Sequence, residues 1–213
     1  MARSYLSSAS VLNMLVRGLI DKRELRIYHL SRESAKALQS DASRARLPRA
    51  AALRRDYLPD LLKYAFLKVG LSKQAFLSQA TLRLNRGEHI YTLASDDCLL
   101  HYGWLVENKK ESFYPEVGEK FRYPDNSAIL YNFVTCPDSR AKGYFQDSLR
   151  QILSYLADLH SVEHIFISVL ADNAASRHVI EKSGFEYYCS VYSLRCLGLR
   201  KNWRRYAHGE FVA

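Results

Sequence analysis

Arg140, Lys142 and Gly143 lie together in the stretch "TCPDSRAKGYFQDSL" (135–149), two cations and a glycine at the mouth of an amphipathic segment. Pro137, Asp138 and Ser139 form the turn before them, directly after the apolar run "AILYNFV". A strand that ends in a turn and feeds a helix leaves the first helical N–H groups unpaired, with partial positive charge at that end. Gly143 permits close backbone approach, and Arg140 and Lys142 add positive potential. The chemistry this predicts is anion binding, most naturally of a pyrophosphate. On these residues alone, a basic loop that merely caps a helix is the competing reading.

The elements that must position this loop can be read along the chain. "ELRIYHL" (24–30) alternates as a strand should, and "SRESAKALQS" (31–40) opens as a helix at Ser31. Leu58, Leu61, Leu62, Ala65 and Phe66 recur at helical spacing with Gly70 as terminator, and a second helix is expected in "SKQAFLSQATLRLN" (72–85). "EHIYTLA" (88–94) and "CLLHYGWLVE" (98–107) read as a hairpin, followed by a long polar loop over 108–126 with two prolines. "SAILYNFVT" (127–135) is apolar enough for a central strand buried on both faces. The helix after Gly143 places Phe145, Leu149, Ile152, Leu153, Leu156 and Leu159 on one face. "HIFISVL" (164–170) is another buried strand, and "DNAASRHVIEKSG" (172–184) a short helix capped by Asp172 or Asn173 and closed by Gly184. "FEYYCSVYSLRCL" (185–197) is a long strand. The order predicts an α/β fold around a mixed sheet.

At 213 residues the chain suits one large domain, expected over 24–213. Residues 1–23 read as an extension with a short amphipathic helix from about Ser10 to Ile20, which packs on the domain in preference to lying on a membrane. Lys and Arg outnumber Asp and Glu by 31 to 22, a net charge of +9 that favours an anionic partner. The basic stretch 43–56 has no interleaved aromatics and no groove-reading motif is visible, so nucleic acid is not the expected partner. Cys98, Cys136, Cys189 and Cys196 show no C-x-x-C spacing; they read as free thiols in a reducing cytosol, with no metal set and a cytoplasmic location.

The stretch 128–145, taken with 173–185, resembles the GNAT superfamily of acyl-CoA-dependent N-acyltransferases. That family has an apolar strand, a proline, then an R/Q-x-x-G-x-G/A loop that opens a helix. Here the loop is Arg140-Ala141-Lys142-Gly143-Tyr144-Phe145. The family then shows N-x-x-A/S, a short helix and G-F, matched by Asn173, Ser176 and Gly184-Phe185, and "GWL" at 103–105 also fits. The resemblance covers roughly 24–197. It implies a GNAT-type mixed, mostly antiparallel central sheet flanked by helices, with acetyl-CoA as acyl donor and no metal. It further implies that the backbone of Phe133, Val134 and Thr135 pairs with the pantetheine arm. The amides of Arg140, Ala141, Lys142, Gly143, Tyr144 and Phe145 would hold the pyrophosphate, and Asn173 would bond the pantetheine. Two residues depart from the pattern. Phe145 replaces a usual Gly or Ala, and Ile180 stands where many relatives carry a tyrosine that protonates the departing thiolate.

Acyl transfer to an amine needs a neutral amine, a stabilised oxyanion and, helpfully, a proton donor for the thiolate. Glu107, His101 and Tyr131 are the candidate bases, Tyr144 and His178 the candidate acids, and a backbone N–H near Phe133–Val134 the oxyanion donor. The catalytic set carried forward is Glu107, Tyr131 and Tyr144. The expected acceptor is a primary amine of a small molecule. An amino sugar leads, since Phe113, Tyr114, Phe121 and Tyr123 in the 108–126 loop could stack on a sugar ring. A catalytically silent acyl-CoA binder is the alternative that Ile180 favours, and acyl transfer to a non-sugar amine, as in a signal-lipid synthase, is a further reading. A homodimer is left open.

Overall fold

The computed structural model describes residues 20–42, 53–65 and 71–207. In chain order the elements are β1 (Ile20–Ser31), α1 (Arg32–Ala42), β2 (Arg54–Arg55), α2 (Leu58–Leu61), α3 (Lys73–Leu84), β3 (His89–Ala94) and β4 (Leu99–Glu107). They continue as β5 (Glu111–Tyr114), β6 (Glu119–Arg122), β7 (Ser127–Thr135), α4 (Tyr144–Asp158), β8 (His164–Leu170), α5 (Ala174–Lys182), β9 (Glu186–Cys196) and β10 (Leu199–Tyr206). Eight strands form one sheet in the order β10-β9-β1-β8-β7-β4-β3-β2. Every neighbouring pair is antiparallel except β7 with β8. The fold is therefore a mixed, mostly antiparallel sheet flanked by helices.

Each face has its own core. On one face α4 lays down Leu149, Ile152, Leu153 and Leu156 at helical spacing, against Leu105, Leu130 and Ile165 of the sheet and Ile180 of α5. On the other, Leu61, Tyr64, Phe76 and Ala80 pack on Ile90, Tyr102 and Trp104. Beside them Tyr114, Val117, Phe121 and Tyr123 cover Ile129 and Phe166.

Three expectations change, and one strand is added to the elements expected. Residues 108–126 are not a structureless loop: β5 and β6 pair as a hairpin, with Gly118 N donating to Tyr114 O at 2.7 Å from a left-handed Gly118. Burial of Tyr114, Phe121 and Tyr123 in that hairpin's core leaves Phe113 as its exposed aromatic. Second, "LRKNWRR" is a strand, β10, joined to β9 through Leu197 and Gly198, both at positive φ as a tight twisted hairpin turn requires. Third, the helix expected from Leu58 is a single turn. Leu58 and Leu62 are exposed, while Asp60 is buried and drawn to Arg54 (2.5 Å) and to the Thr92 hydroxyl (2.7 Å), so the apolar spacing makes no buried stripe. Phe66 and Gly70 lie outside the described residues. Fourth, β7 is buried on both faces only over Ser127–Leu130 and is half-exposed beyond. At the N-terminal side, β1 already begins at Ile20; the expected helix from Ser10 otherwise lies outside the described residues, as does most of 43–56.

Candidate active site

The exposed half of β7 comes from a divergence. β7 and β8 pair only from Ser127 with His164 to Leu130 with Ile167. Beyond that, β8 stays on β1 as far as Leu170 opposite Leu25, while β7 follows β4 to Thr135 opposite His101. A bulge turns β7 away: the register slips between Tyr102 and Trp104, and Asn132 sits at φ 52°, a conformation asparagine tolerates. A Cβ on Gly103, opposite the bulge, would fall 2.2 Å from the Phe133 ring, so only glycine leaves room for that side chain. Residues 131–135 are left without a strand partner on their β8 side, an edge that an amide-bearing chain can join.

A cavity of about 520 Å³ runs along this wedge. From the helix face it is walled by Phe133, Phe145, Asn173, Ser176 and Ile180, and from the other face by Arg83, Arg86, Glu88, Lys109, Tyr131 and the hairpin residues around Phe113. It thus passes through the sheet where β7 and β8 part. Phe145, the bulky residue at the helix start, packs its ring against Phe133 (centroids 5.0 Å apart) and forms wall rather than obstruction. Ile180 is 1% exposed and shared between core and cavity wall, an apolar surface with no proton to give.

The loop of Arg140, Ala141, Lys142 and Gly143 leads into α4 beside this cavity. Ala141 (φ 59°) and Gly143 (φ 80°) are both left-handed, and no side chain caps the helix. Arg140 and Lys142 are exposed and make no ion pair among the described residues. A Cβ on Gly143 would meet nothing closer than Asp147 Oδ2 at 3.9 Å, so its requirement for glycine is the positive φ and not space within the chain. Of the loop, Phe145 lines the cavity; Arg140, Ala141, Lys142, Gly143 and Tyr144 lie outside it. Asn173 caps α5, its Oδ1 accepting from Ser176 N at 3.1 Å, while its Nδ2 has no partner among the described residues.

A carboxylate that lines the cavity, Glu88, is one the sequence reading passed over. Glu88 is 7% exposed, accepts a hydrogen bond from the Tyr131 hydroxyl at Oε2, and has Lys109 Nζ 3.9 Å from Oε1. Burial and the adjoining Glu88 push the Tyr131 phenol well above its usual range, which keeps it a donor. The turn that places Glu88 is a helix ending. Gly87, at φ 76°, donates to Leu84 O, and Glu88 N reaches back to Arg83 O at 3.1 Å, the paired bonds of a Schellman motif. "RLNRGEH" carried that signal, with Gly87 as the left-handed residue and Glu88 just after it.

The proposed acids and bases divide accordingly. Tyr131 is in the cavity, as donor to Glu88. Glu107 is not: alternation along β4 turns Trp104 and Val106 toward the cavity side and Glu107 toward the helix face. There it meets the Arg55 guanidinium (3.6 Å) and the Tyr155 hydroxyl (3.3 Å). Tyr144 makes no hydrogen bond among the described residues and does not wall the cavity, and His178 is exposed on α5. His101 is fully buried outside the cavity. Its Nδ1 lies 2.8 Å from Thr135 Oγ1, its Nε2 has no partner, and burial drives its pKa down to about 3. Among the described residues no cluster of His, Cys, Asp or Glu could hold a metal ion. No described helix is long and apolar enough to cross a membrane.

The family model for the acetyltransferase (GNAT) domain matches residues 59–186, more than half of the chain and all of this site. The chain belongs to the GNAT acetyltransferase family. No curated protein matches its sequence. Among solved structures, a functionally unknown conserved protein of Staphylococcus epidermidis is similar with a TM-score of 0.54 at 9% identity, over 92% of this chain and 69% of that one. A GNAT-family acetyltransferase of Colwellia psychrerythraea has a TM-score of 0.54 at 14% identity, over 83% of this chain and 57% of that one. At such identities the likeness is one of fold. Within the GNAT frame, the matched residues include the parted strands, the uncapped start of α4 and the Asn173 cap of α5.

Proposed function

We propose that this protein transfers an acetyl group from acetyl-CoA to a primary amine of a small molecule, with an amino sugar as the leading acceptor. The observation that carries the reading is the cavity through the sheet, which joins the wall beside the anion loop to the buried Glu88–Tyr131 pair. Acetyl-CoA supplies an activated acyl carbonyl and a thiolate leaving group. The free edge of Phe133, Val134 and Thr135 and the Nδ2 of Asn173 suit the amides of its pantetheine arm. The backbone of residues 140–145, with Arg140 and Lys142, suits the pyrophosphate. A backbone N–H near Phe133–Val134, next to the bulge at Asn132–Phe133, is the donor for the developing oxyanion.

On the acceptor side, Glu88 takes the proton from the attacking amine, and Tyr131 orients the carboxylate that does so. Glu88 replaces Glu107 in this role because Glu107 faces the other side of the sheet, paired with Arg55. No side-chain acid stands at Ile180, and the modest basicity of a thiolate lets it depart without one. Phe113, exposed on the β5–β6 hairpin at the cavity, offers the aromatic surface a sugar ring would use. Ile180 and the position of Tyr144 outside the cavity favour one second reading, a silent acyl-CoA binder.

Thiol release from acetyl-CoA across a panel of amines, amino sugars included, separates the two. Catalysis predicts release above the amine-free rate with at least one amine. CoA binding with no amine-dependent release from any of them would leave the silent binder.

A further inference from the structure

We infer that the acceptor amine carries an oxyanion of its own, a carboxylate or a phosphate, which Arg83 and Arg86 hold while its amine faces Glu88. This rests on the reading of the cavity as the acetyl-transfer site and narrows its substrate class. Both arginines wall the cavity from the end of α3 and the turn after it. The Arg83 guanidinium is stacked against two rings, 4.9 Å from the centroid of Trp104 and 5.2 Å from that of Tyr131. A guanidinium held by its face keeps its in-plane N–H groups for an acceptor at its edge, and that fork matches a carboxylate or phosphate.

Those donors are not spoken for. Neither Arg83 nor Arg86 makes an ion pair among the described residues, whereas Arg26, Arg54 and Arg204 each meet a carboxylate within 3.6 Å. The nearby acid, Glu88, is engaged by Tyr131 and Lys109 instead. A helix C-terminus attracts a cation, which accounts for Arg83 being there, but it leaves the guanidinium edge unsatisfied. The Schellman turn fixes Arg83, Arg86 and Glu88 within six residues of one another, so the cationic and anionic ends of the subsite are set by one rigid element. A short skeleton bearing one amine and one oxyanion complements that pair. A polycation does not, because Arg83, Arg86 and Lys109 would oppose it.

The test titrates the CoA-loaded full chain by calorimetry with matched amines that differ in the oxyanion. One pair is glucosamine and glucosamine 6-phosphate; the other is propylamine and 3-aminopropionate. The charged member of at least one pair should bind about tenfold or more tightly than its neutral mate, as expected of a charge-assisted bidentate contact. The pair that shows the effect tells phosphate from carboxylate. Arg83→Gln and the exposed Arg86→Gln should each bring that ratio toward one, with a CoA titration of each variant reporting whether it has folded. Neutral members binding as tightly as charged ones, or a ratio unchanged in both variants, would overturn the inference and leave the acetyl-transfer reading standing. A chain that binds no CoA would overturn both.

Discussion

Glu88→Gln should lower turnover of the best amine by roughly a hundred- to a thousandfold, the loss expected when a positioned general base is removed. The substitution is nearly isosteric, and the amide oxygen can still accept from the Tyr131 hydroxyl, so the site keeps its shape and loses its basicity. Glu107→Gln is the contrasting change. It removes a carboxylate that Arg55 and the Tyr155 hydroxyl hold on the helix face, and should be read out as lost stability with turnover close to the parent's. If Glu88→Gln turns over like the parent while Glu107→Gln does not, the assignment of the base to the cavity carboxylate is wrong.

The second large effect is on stability. His101 is buried among Phe133 and Phe145, with the hydroxyl of Thr135 as its polar neighbour, and desolvation alone sets its pKa near 3. The folded pKa is depressed, so between 6.5 and about 3 the unfolded chain takes up a proton that the folded chain does not. The stabilisation is therefore complete above pH 6.5 and is lost as pH falls. Folding should be weaker at pH 5 than at pH 7.5 by about 2 kcal/mol from this one group. His29, lowered by burial and by His164, adds loss of the same sign. The depressed carboxylates, such as Glu24, act only below their ordinary range, which keeps this window for histidine. Urea midpoints at the two pH values should show a smaller difference in His101→Gln than in the parent. In the parent, the His101 ring resonances should not titrate above pH 4. A ring that titrates near 6.5, or an undiminished difference in the variant, contradicts this.

Much of the local structure of the proposed donor side was legible in the sequence because it is local. A strand, a turn with glycine and two cations, and a helix start follow one another within twenty residues, and Asn173 with Gly184 bounds the next helix in the same way. What escaped was set by long-range pairing. β10 hides its strand character because an edge strand exposed to solvent carries arginines and lysine in place of alternation. The β5–β6 hairpin hides its core because Tyr114, Phe121 and Tyr123 stand among charged residues, with Lys120 and Arg122 exposed between them. Glu107 and Glu88 look equally placed beside strands, and sequence spacing does not say which face of the sheet a strand turns to the cavity. That is decided by the pairing of β4 with β7, whose bulge lies opposite Gly103. The one-turn α2 shows the converse. Its leucines have helical spacing, yet the buried Asp60 and its bonds to Arg54 and Thr92 tie the segment to the sheet edge.

Amide hydrogen exchange with and without CoA tests the central claim most directly, that the wedge between β7 and β8 and the loop before α4 together hold the acyl donor. The account predicts that CoA slows exchange at residues 131–135, which have no strand partner on their β8 side, and at the helix start within 140–145, and leaves β10 unchanged. Saturating CoA that leaves both segments exchanging as before, or that protects the basic β10 edge in their place, would contradict it.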